Sequence, residues 1–252
     1  MGKIIVVSVV RNVEMYEKLV KNNKYLKNAD FVMFDNRNEN ISISTRYNFF
    51  LKNTKNKQAN AWFIFCHEDW ELLCDIQKIL LKANKNAVFG VAGTAFNEQK
   101  NIVTWYGNVF QSNKDNSKTM HWGKSFFVTK NVDTIDCQCI IFHSSLIEKY
   151  NLTFDENLMF DFYAEDFCIN AYEKYKIKTF VLPIKCHHYS YGNFSSNFTN
   201  AVNYTKQKYS KLSRPYSSCC TNAFLYAEPS KIIRLSLLDR LKRKLNKIFA
   251  KK

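Results

Sequence analysis

Three short polar groups hold the side chains in this sequence that could do chemistry. A His-Glu-Asp tripeptide at residues 67–69 ends the apolar run 61–66, and a Glu-Asp pair at 165–166 opens a helical pattern. A His-His pair at 187–188 follows another apolar run and leads into a loop rich in serine and glycine. Carboxylates and imidazoles bind divalent cations and transfer protons, so these groups predict a metal site with a general base beside it.

The positions of the three groups in the chain suggest that they meet in space. Each group either follows a strand-like run or opens a helix, and open α/β sheets bind ligands where strand ends meet helix starts. Taken singly, each group also has a structural interpretation. Acidic residues are common in the first turn of a helix, where they cap it and interact with its dipole, and paired histidines often lie in a core or a loop.

The elements that must position these groups alternate between strand and helix over the first 95 residues. Strands are predicted at 4–10, 30–34, 61–66 and 87–92, with helices at 14–26, 44–51 and 71–83. This rhythm is typical of a doubly wound α/β structure. Residues 93–131 predict loops and short antiparallel strands, and 193–222 form a polar segment rich in tyrosine and serine. Between these two segments we expect strands at 135–142 and 179–184 and helices at 144–150 and 165–175.

The composition of the 252 residues is that of a globular protein with a sizeable core, because 46% are hydrophobic and 15% aromatic. No apolar run reaches the roughly 18 residues that span a bilayer. The first residues predict a strand rather than a signal peptide. The eight cysteines form no CxxC pair, so the sequence indicates reduced core cysteines of a cytosolic protein rather than a zinc knuckle or disulfide framework.

The net charge of +15 is concentrated near the end of the chain, where residues 231–252 contain nine Lys/Arg and one Asp. Residues 230–249 combine a basic face with an apolar line, which suits an anionic membrane surface or a helix packed on the domain. We therefore divide the chain into a domain, 1–222, and a basic amphipathic tail, 223–252. A nucleic-acid-binding protein would spread its basic residues along a groove, so no nucleic acid partner is expected.

Several segments together resemble a known family. They are the strand ends VRN at 10–12 and DN at 35–36, the helix SISTRYNFFL, the segments FIFCHEDW and VFGVAG, and the motifs FDE, YAEDFCINAY and CHHYSYG. In this order they resemble the GT-A fold glycosyltransferases, close to family 2 and the bacterial glycosyltransferase-like group. The resemblance covers roughly residues 3–192. It implies an α/β, Rossmann-like nucleotide-diphospho-sugar transferase fold with a mixed central sheet.

The resemblance also assigns metal-binding and catalytic roles. Asp69 matches the last acid of the metal motif and His188 the histidine that completes the metal site, with Mn²⁺ or Mg²⁺ as the cofactor. His67 stands where the family has its first acid, beside the donor diphosphate. Asp166 matches the general base, and Glu165 lies next to it in the motif.

The substrate positions follow from the same resemblance. On the donor side it places residues around the nucleotide, namely Val10, Arg11, Asp35 and Asn48. On the acceptor side it places Asp136. The aromatic residues Trp105 and Trp122 suit stacking on an acceptor sugar, and ordinary core packing explains them equally well.

The sequence thus predicts an inverting, metal-dependent glycosyltransferase of the hexosyltransferase type. Its donor would be a nucleotide-diphosphate sugar, with UDP expected, and its acceptor a glycan or a lipid-linked glycan in bacterial surface polysaccharide synthesis. We expect it in the cytoplasm, held by its tail at the anionic inner face of the membrane. The alternative is a non-catalytic module that keeps the nucleotide-sugar fold within a polysaccharide-assembly complex, because HED replaces the usual DxD.

Overall fold

The computed structural model describes residues 2–54, 60–100, 102–112, 118–123, 125–190, 196–212 and 214–219. The strands are β1 (Lys3–Val10), β2 (Asp30–Asp35), β3 (Ala61–Cys66), β4 (Trp70–Leu72), β5 (Val88–Gly90), β6 (Ala92–Asn97), β7 (Ile102–Ser112), β8 (Thr119–Trp122), β9 (Lys130–Val132), β10 (Thr134–Ile135), β11 (Cys139–His143), β12 (Thr179–Val181) and β13 (Lys185–His188). The helices are α1 (Val13–Tyr16), which continues as a π-helical turn (Glu17–Lys21), α2 (Ile43–Thr54), α3 (Gln77–Leu80), α4 (Ser145–Tyr150), α5 (Tyr163–Tyr175) and α6 (Ser196–Lys208).

The described strands form two sheets. A seven-stranded sheet has the order β2-β1-β3-β11-β5-β12-β9, in which β1 pairs in parallel with β2 and β3 while β11 runs antiparallel to β3 and β5. A six-stranded sheet has the order β10-β6-β7-β13-β4, with β8 paired to β7. The predicted mixed central sheet is therefore confirmed.

Strand β3 is buried along its whole length and separates two cores. Phe63 and Phe65 belong to one hydrophobic cluster, and Trp62 and Ile64 belong to the other. Because successive side chains of a strand point to opposite faces, both faces of the sheet are covered. This explains why β3 is a continuous apolar run in the sequence rather than an alternating one.

A column of stacked phenylalanine rings holds helix α5 against the sheet. Phe65 stacks on Phe142 and Phe142 on Phe167, each at 5.3 Å between ring centroids, and Phe167 stacks on Phe154 at 4.5 Å. Each such aromatic pair adds about 0.5–1.5 kcal/mol beyond the burial of its surface. The column therefore fixes the first turn of α5, which carries the predicted Glu-Asp pair.

The prediction of a helix over 71–83 is wrong for most of its length, since β4 and the short α3 occupy this segment. Trp70 and Leu72 are buried and Glu71 is less buried, and this alternation lets β4 pair with β13. The pairing also places His187 and His188 in a strand rather than in the predicted loop. The apolar residues of this segment have helical spacing, but pairing with the distant strand β13 makes residues 70–72 a strand.

Helix α6 lies in the polar segment 193–222, where the sequence predicts no helix. No helix of the described ranges is both long and apolar enough to cross a membrane. The predicted helix over 230–249 and the domain boundary after residue 222 fall outside the described residues. Both remain predictions.

The Asn48 side chain joins α2 to the chain segment before α5. Its amide nitrogen donates to the backbone oxygen of Phe154 at 3.0 Å and to Glu156 at 2.9 Å, and its amide oxygen accepts from the Phe154 N–H at 2.8 Å. These bonds satisfy both backbone polar groups of Phe154, whose side chain is buried in the core. Asn48 thus holds two parts of the fold together.

We predict that Asn48→Ala lowers the free energy of unfolding by about 1–3 kcal/mol, because it leaves the partly buried backbone groups of Phe154 without partners. Chemical denaturation measures this change. Asn53→Ala is the matched control, since Asn53 is an exposed residue of the same helix that bonds only to its own preceding turn. Equal stability of both variants would show that the Asn48 bonds contribute nothing.

Candidate functional site

The chain passes from the first sheet to the second at residues 67–69, between β3 and β4. The backbone N–H of His67 donates to the backbone oxygen of Gln138 at 3.1 Å. The backbone oxygen of Asp69 accepts from the backbone N–H of Tyr189 at 2.9 Å. Strand β13 pairs with β4 so that His188 lies opposite Trp70. These backbone contacts fix the turn and bring the end of β13 against it.

His67, Asp69 and His188 form a cluster in which one ligand atom from each lies within 4.8 Å of the others. His188 Nε2 is 3.3 Å from Asp69 Oδ1, and His67 Nδ1 is 4.0 Å from the same oxygen. Asp69 Oδ1 and His188 Nε2 are both buried; they face each other as an ion pair and make no further hydrogen bond among the described residues. A divalent cation bound by the carboxylate and the imidazoles would take the place of the proton that this ion pair holds. The residues present therefore fit a metal ion.

The orientation of the His67 ring is set by Tyr163, the first residue of α5. The Tyr163 hydroxyl donates to the Cys137 backbone oxygen at 2.6 Å and lies 3.0 Å from His67 Nε2. A hydroxyl has a single proton to donate, so this contact requires His67 Nε2 to carry the hydrogen. Nδ1 then keeps its lone pair, on the side of the ring that faces Asp69. A hydrogen bond of this kind orients many metal-binding histidines.

The charges in the cluster are coupled. Burial alone would raise the pKa of Asp69, but the adjacent His188 and His67 outweigh it and lower that pKa to about 2. Burial would also lower the pKa of His188, and the carboxylate of Asp69 instead raises it. Burial lowers the pKa of His67. The carboxylate is thus held ionised, as a metal ligand must be.

The cluster opens into a cleft of about 1100 Å³. This volume is slightly above the roughly 300–1,000 Å³ that is typical of small-molecule sites. Seven of the predicted site residues line it, namely Arg11, His67, Asp69, Trp105, Trp122, Asp136 and His188. Five do not, namely Val10, Asp35, Asn48, Glu165 and Asp166.

Two of the predicted donor residues that do not line the cleft have other contacts. Asp35 is bound by the guanidinium of Arg37, whose hydrogen bonds lower the pKa of the carboxyl to about 2. Val10 is fully buried, and its backbone oxygen accepts from the Asn36 N–H at 2.8 Å. The Asn36 side chain bonds in turn to both backbone groups of Ile41. This closes the loop 36–41, and it is the loop that borders the cleft.

The Glu-Asp pair at the start of α5 is buried behind the cleft wall. Asp166, only 1% exposed, accepts hydrogen bonds from Lys208 at 2.7 Å and from the Tyr209 hydroxyl at 2.8 Å. Burial raises the pKa of Asp166, and the ammonium group of Lys208 opposes the shift. Glu165 accepts from the Ser218 hydroxyl at 3.0 Å. Both carboxylates thus contact residues between 208 and 218, a segment after β13 whose position in the fold the sequence did not predict.

The sequence missed two residues at the cleft mouth, Phe160 and Asp161. The Phe160 ring stacks on His67 at 5.4 Å between centroids and 23° between planes, although the residue is more than half exposed. Asp161 is half-buried, lines the cleft and has no hydrogen bond or ion pair with another described residue. Burial raises the pKa of its carboxyl group. In the sequence, the one indication that Asp161 belongs to the site was its position two residues before the YAED motif at 163–166.

The three predicted acceptor residues line the cleft, and two of them contact each other. Trp105 and Trp122 stack with ring centroids 5.4 Å apart and planes 25° from parallel. They lie on β7 and β8, which are paired strands of the second sheet. Asp136 lies in the turn that joins β10 to β11, and its side chain accepts from the Gln138 N–H at 3.0 Å. The cleft therefore has aromatic and acidic groups as well as the metal-binding cluster.

No protein-family model and no curated protein matches the chain. The solved structures that resemble it include the following three. A197 from STIV is 15% identical with a TM-score of 0.45, over 75% of this chain and 86% of that one. GalNAc-T7 with UDP, GalNAc and Mn²⁺ is 10% identical with a TM-score of 0.50, over 81% of this chain and 48% of that one. S. aureus TarS 1–349 is 13% identical with a TM-score of 0.47, over 80% of this chain and 64% of that one.

The chain thus spans about half the length of the GalNAc-T7 chain that it resembles. At 10% identity this likeness shows the fold alone. The fold is that of a GT-A glycosyltransferase, as the sequence predicts.

We predict that Tyr163→Phe weakens Mn²⁺ binding by about 10- to 100-fold, since His67 loses the hydrogen bond that fixes its tautomer. Calorimetric titration with Mn²⁺ measures the affinity, and thermal unfolding checks that the variant is folded. Tyr16→Phe is the matched control, because Tyr16 is equally buried but its hydroxyl has no partner among the described residues. Wild-type affinity in the Tyr163→Phe protein would refute this role of the hydroxyl.

Proposed function

We propose that the protein is a metal-dependent glycosyltransferase that moves a sugar from a nucleotide-diphosphate donor to an acceptor hydroxyl. The observation that carries the proposal is the cluster of His67, Asp69 and His188 on the wall of a large cleft in a GT-A fold. Two buried ligand atoms of this cluster, Asp69 Oδ1 and His188 Nε2, face each other at 3.3 Å and make no further hydrogen bond among the described residues. A bound cation would stabilise the negative charge of a departing diphosphate.

We propose Mn²⁺ rather than Mg²⁺ as the ion. Mg²⁺ prefers an all-oxygen shell with several waters, whereas this cluster offers two imidazole nitrogens and one carboxylate. Mn²⁺ accepts both kinds of ligand. The structure of GalNAc-T7 that resembles the chain contains UDP, GalNAc and Mn²⁺, which supports the same donor chemistry here.

The donor nucleotide is proposed to lie between the ends of β1 and β2. Arg11 and the loop 36–41 line the cleft there. Glu68 accepts hydrogen bonds from the backbone N–H groups of Arg11 and Asn12, and these bonds join the end of β1 to the turn that carries Asp69. The cluster and the proposed nucleotide site are thus held in one rigid unit. UDP is the nucleotide that we propose.

The attacking hydroxyl must lose a proton as its oxygen bonds to the anomeric carbon and the carbon–phosphate oxygen bond breaks. Asp161 is a cleft carboxylate without a partner among the described residues, and burial raises its pKa towards the range suited to a base. We propose Asp161 as the base in the conformation described. Asp166 would reach an acceptor only after Lys208 and Tyr209 release it. Its role as base remains a prediction.

A single displacement of this kind inverts the anomeric carbon, so we propose an inverting hexosyltransferase. Trp105 and Trp122, with Asp136 nearby on the cleft wall, are proposed to hold a glycan or a lipid-linked acceptor. The basic tail of the sequence supports work at the cytoplasmic face of a bacterial membrane, in surface polysaccharide synthesis. We therefore propose a peripheral membrane location.

A second candidate function, a non-catalytic nucleotide-sugar-binding module, has one structural observation in its favour. The carboxylate that matches the general base of the family is neutralised by Lys208, which also bonds to Asp155 at 2.6 Å. Such a module would bind UDP and Mn²⁺ without consuming the donor. Turnover therefore separates the two functions.

We predict that the wild-type protein hydrolyses at least one of UDP-glucose, UDP-galactose, UDP-GlcNAc and UDP-GalNAc when Mn²⁺ is present, with water taking the sugar in place of the acceptor and UDP released. Replacing His188 by Ala should remove this activity together with Mn²⁺ binding, because the cation would lose a ligand. His187→Ala is the matched control, since His187 lies next in sequence but bonds to Ser112 and lies outside the cluster. Binding of UDP and Mn²⁺ with no turnover of any donor would favour the non-catalytic module.

We predict that Asp161→Asn lowers kcat by at least about 100-fold with little change in UDP affinity, the typical effect of losing a general base. Asp166→Asn is expected to lower the thermal stability, because it weakens the ion pair with Lys208, and to keep most of the turnover. Steady-state kinetics and thermal unfolding of both variants measure these effects. The reverse result, with turnover lost only in Asp166→Asn, would identify Asp166 as the base.

A further inference from the structure

The segment 118–130, which joins the second sheet to the first, is basic and partly apolar. It contains three lysines and no acidic residue. Strand β8 forms its first part and β9 begins at its end. The connection between them contains two adjacent apolar side chains, Phe127 and Val128, which we call the Phe-Val tip.

The Phe-Val tip projects into solvent. Phe127 is 98% exposed and Val128 is 62% exposed, so Phe127 has the most exposed large apolar side chain among the described residues. The preceding residue, Phe126, instead packs edge-on against Tyr106, with centroids 5.9 Å apart and planes at 90°. One aromatic residue of the connection is thus held by the domain and the next is not.

The base of the connection is fixed at the rim of the cleft. Gly123 has φ +82°, and a Cβ at this position would lie 2.6 Å from the backbone of Gly107, so only glycine fits this close approach. Trp122, Gly123 and Tyr106 all line the cleft. The Phe-Val tip is therefore attached next to the cleft wall that carries the proposed acceptor residues.

We propose that the Phe-Val tip inserts into an anionic membrane surface, with Lys118 and Lys130 at the level of the lipid headgroups. Apolar and aromatic side chains among basic residues, without acids, are the pattern of interfacial membrane segments. Two side chains present too small an area for a stable protein interface, which needs about 1,000 Å² or more. Burial of the same two side chains among lipids is enough to strengthen membrane binding. The net charge of +15 favours an anionic surface further.

The membrane contact itself does not depend on the catalytic role. Its consequence does rest on the proposed function: a cleft whose rim touches the bilayer would face a lipid-linked acceptor. The contact would also fix the orientation of the domain, which a tail alone would leave free to rotate. The Phe-Val tip would therefore act together with the basic tail rather than replace it.

The test is binding of the full chain to vesicles of phosphatidylcholine with phosphatidylglycerol, measured by co-sedimentation. Phe127→Glu/Val128→Glu is expected to weaken partitioning by about tenfold, equivalent to about 1.4 kcal/mol. Leu81→Glu is the matched control, because Leu81 is an apolar residue with the same 62% exposure as Val128 and lies outside the segment. It should bind as the wild type does.

A second measurement detects insertion directly. In Phe127→Trp the added indole should shift its emission to the blue on vesicle addition and be quenched by brominated lipid, beyond the response of the wild-type tryptophans. Vesicle binding that is unchanged by the double substitution, or an added indole that stays in water, would overturn the proposal. Failure of the wild type to bind anionic vesicles would overturn it as well. Release of UDP from the donors is measured separately, so failure of the proposed function gives a different result.

Discussion

The candidate site depends on the turn at residues 67–69, one of the places where the backbone leaves the seven-stranded sheet and enters the six-stranded one. Since β13 must pair with β4 immediately after this turn, His188 is brought against Asp69, at 3.3 Å. The pairing buries a carboxylate oxygen against an imidazole nitrogen, with no further hydrogen bond to either atom among the described residues. A divalent cation takes both kinds of ligand, so this pair suits a metal site.

Helix α5 links this cluster to the rest of the molecule. The stacked rings of Phe142, Phe167 and Phe154 hold it against the sheet, so its first turn has little freedom. Tyr163 in that turn orients His67, and Asp166 in the same turn binds α6 through Lys208. The candidate metal site and the cleft wall to which α6 contributes are therefore joined through one turn of one helix.

The sequence predicted correctly the elements that a local hydrophobic pattern specifies. Its prediction was wrong where pairing with a distant strand determined the secondary structure. Continuous apolar runs identified β1 and β3, because strands covered on both faces need no polar alternation. The spacing over 71–83 suggested a helix, but pairing with β13 makes residues 70–72 a strand. Asn48 and Asp35 were assigned to the nucleotide by resemblance alone. Their hydrogen bonds within the protein, to Phe154 and Arg37, depend on residue contacts that the sequence did not indicate.

The sequence by itself determined the fold class and the types of residue available for chemistry, because hydrophobic pattern and motif order are local properties of the chain. It also singled out Asp69 and His188 as metal ligands and placed His67 beside the donor diphosphate, and the structure brings all three side chains into one candidate metal site. Only the tertiary structure decided which acids reach the cleft. Asp161 lines it, whereas Asp166 is buried against Lys208. Whether a carboxylate reaches the cleft depends on the helix that packs against it. For Asp166 this helix is α6, which follows by some 30–40 residues, and the local sequence pattern does not show that contact.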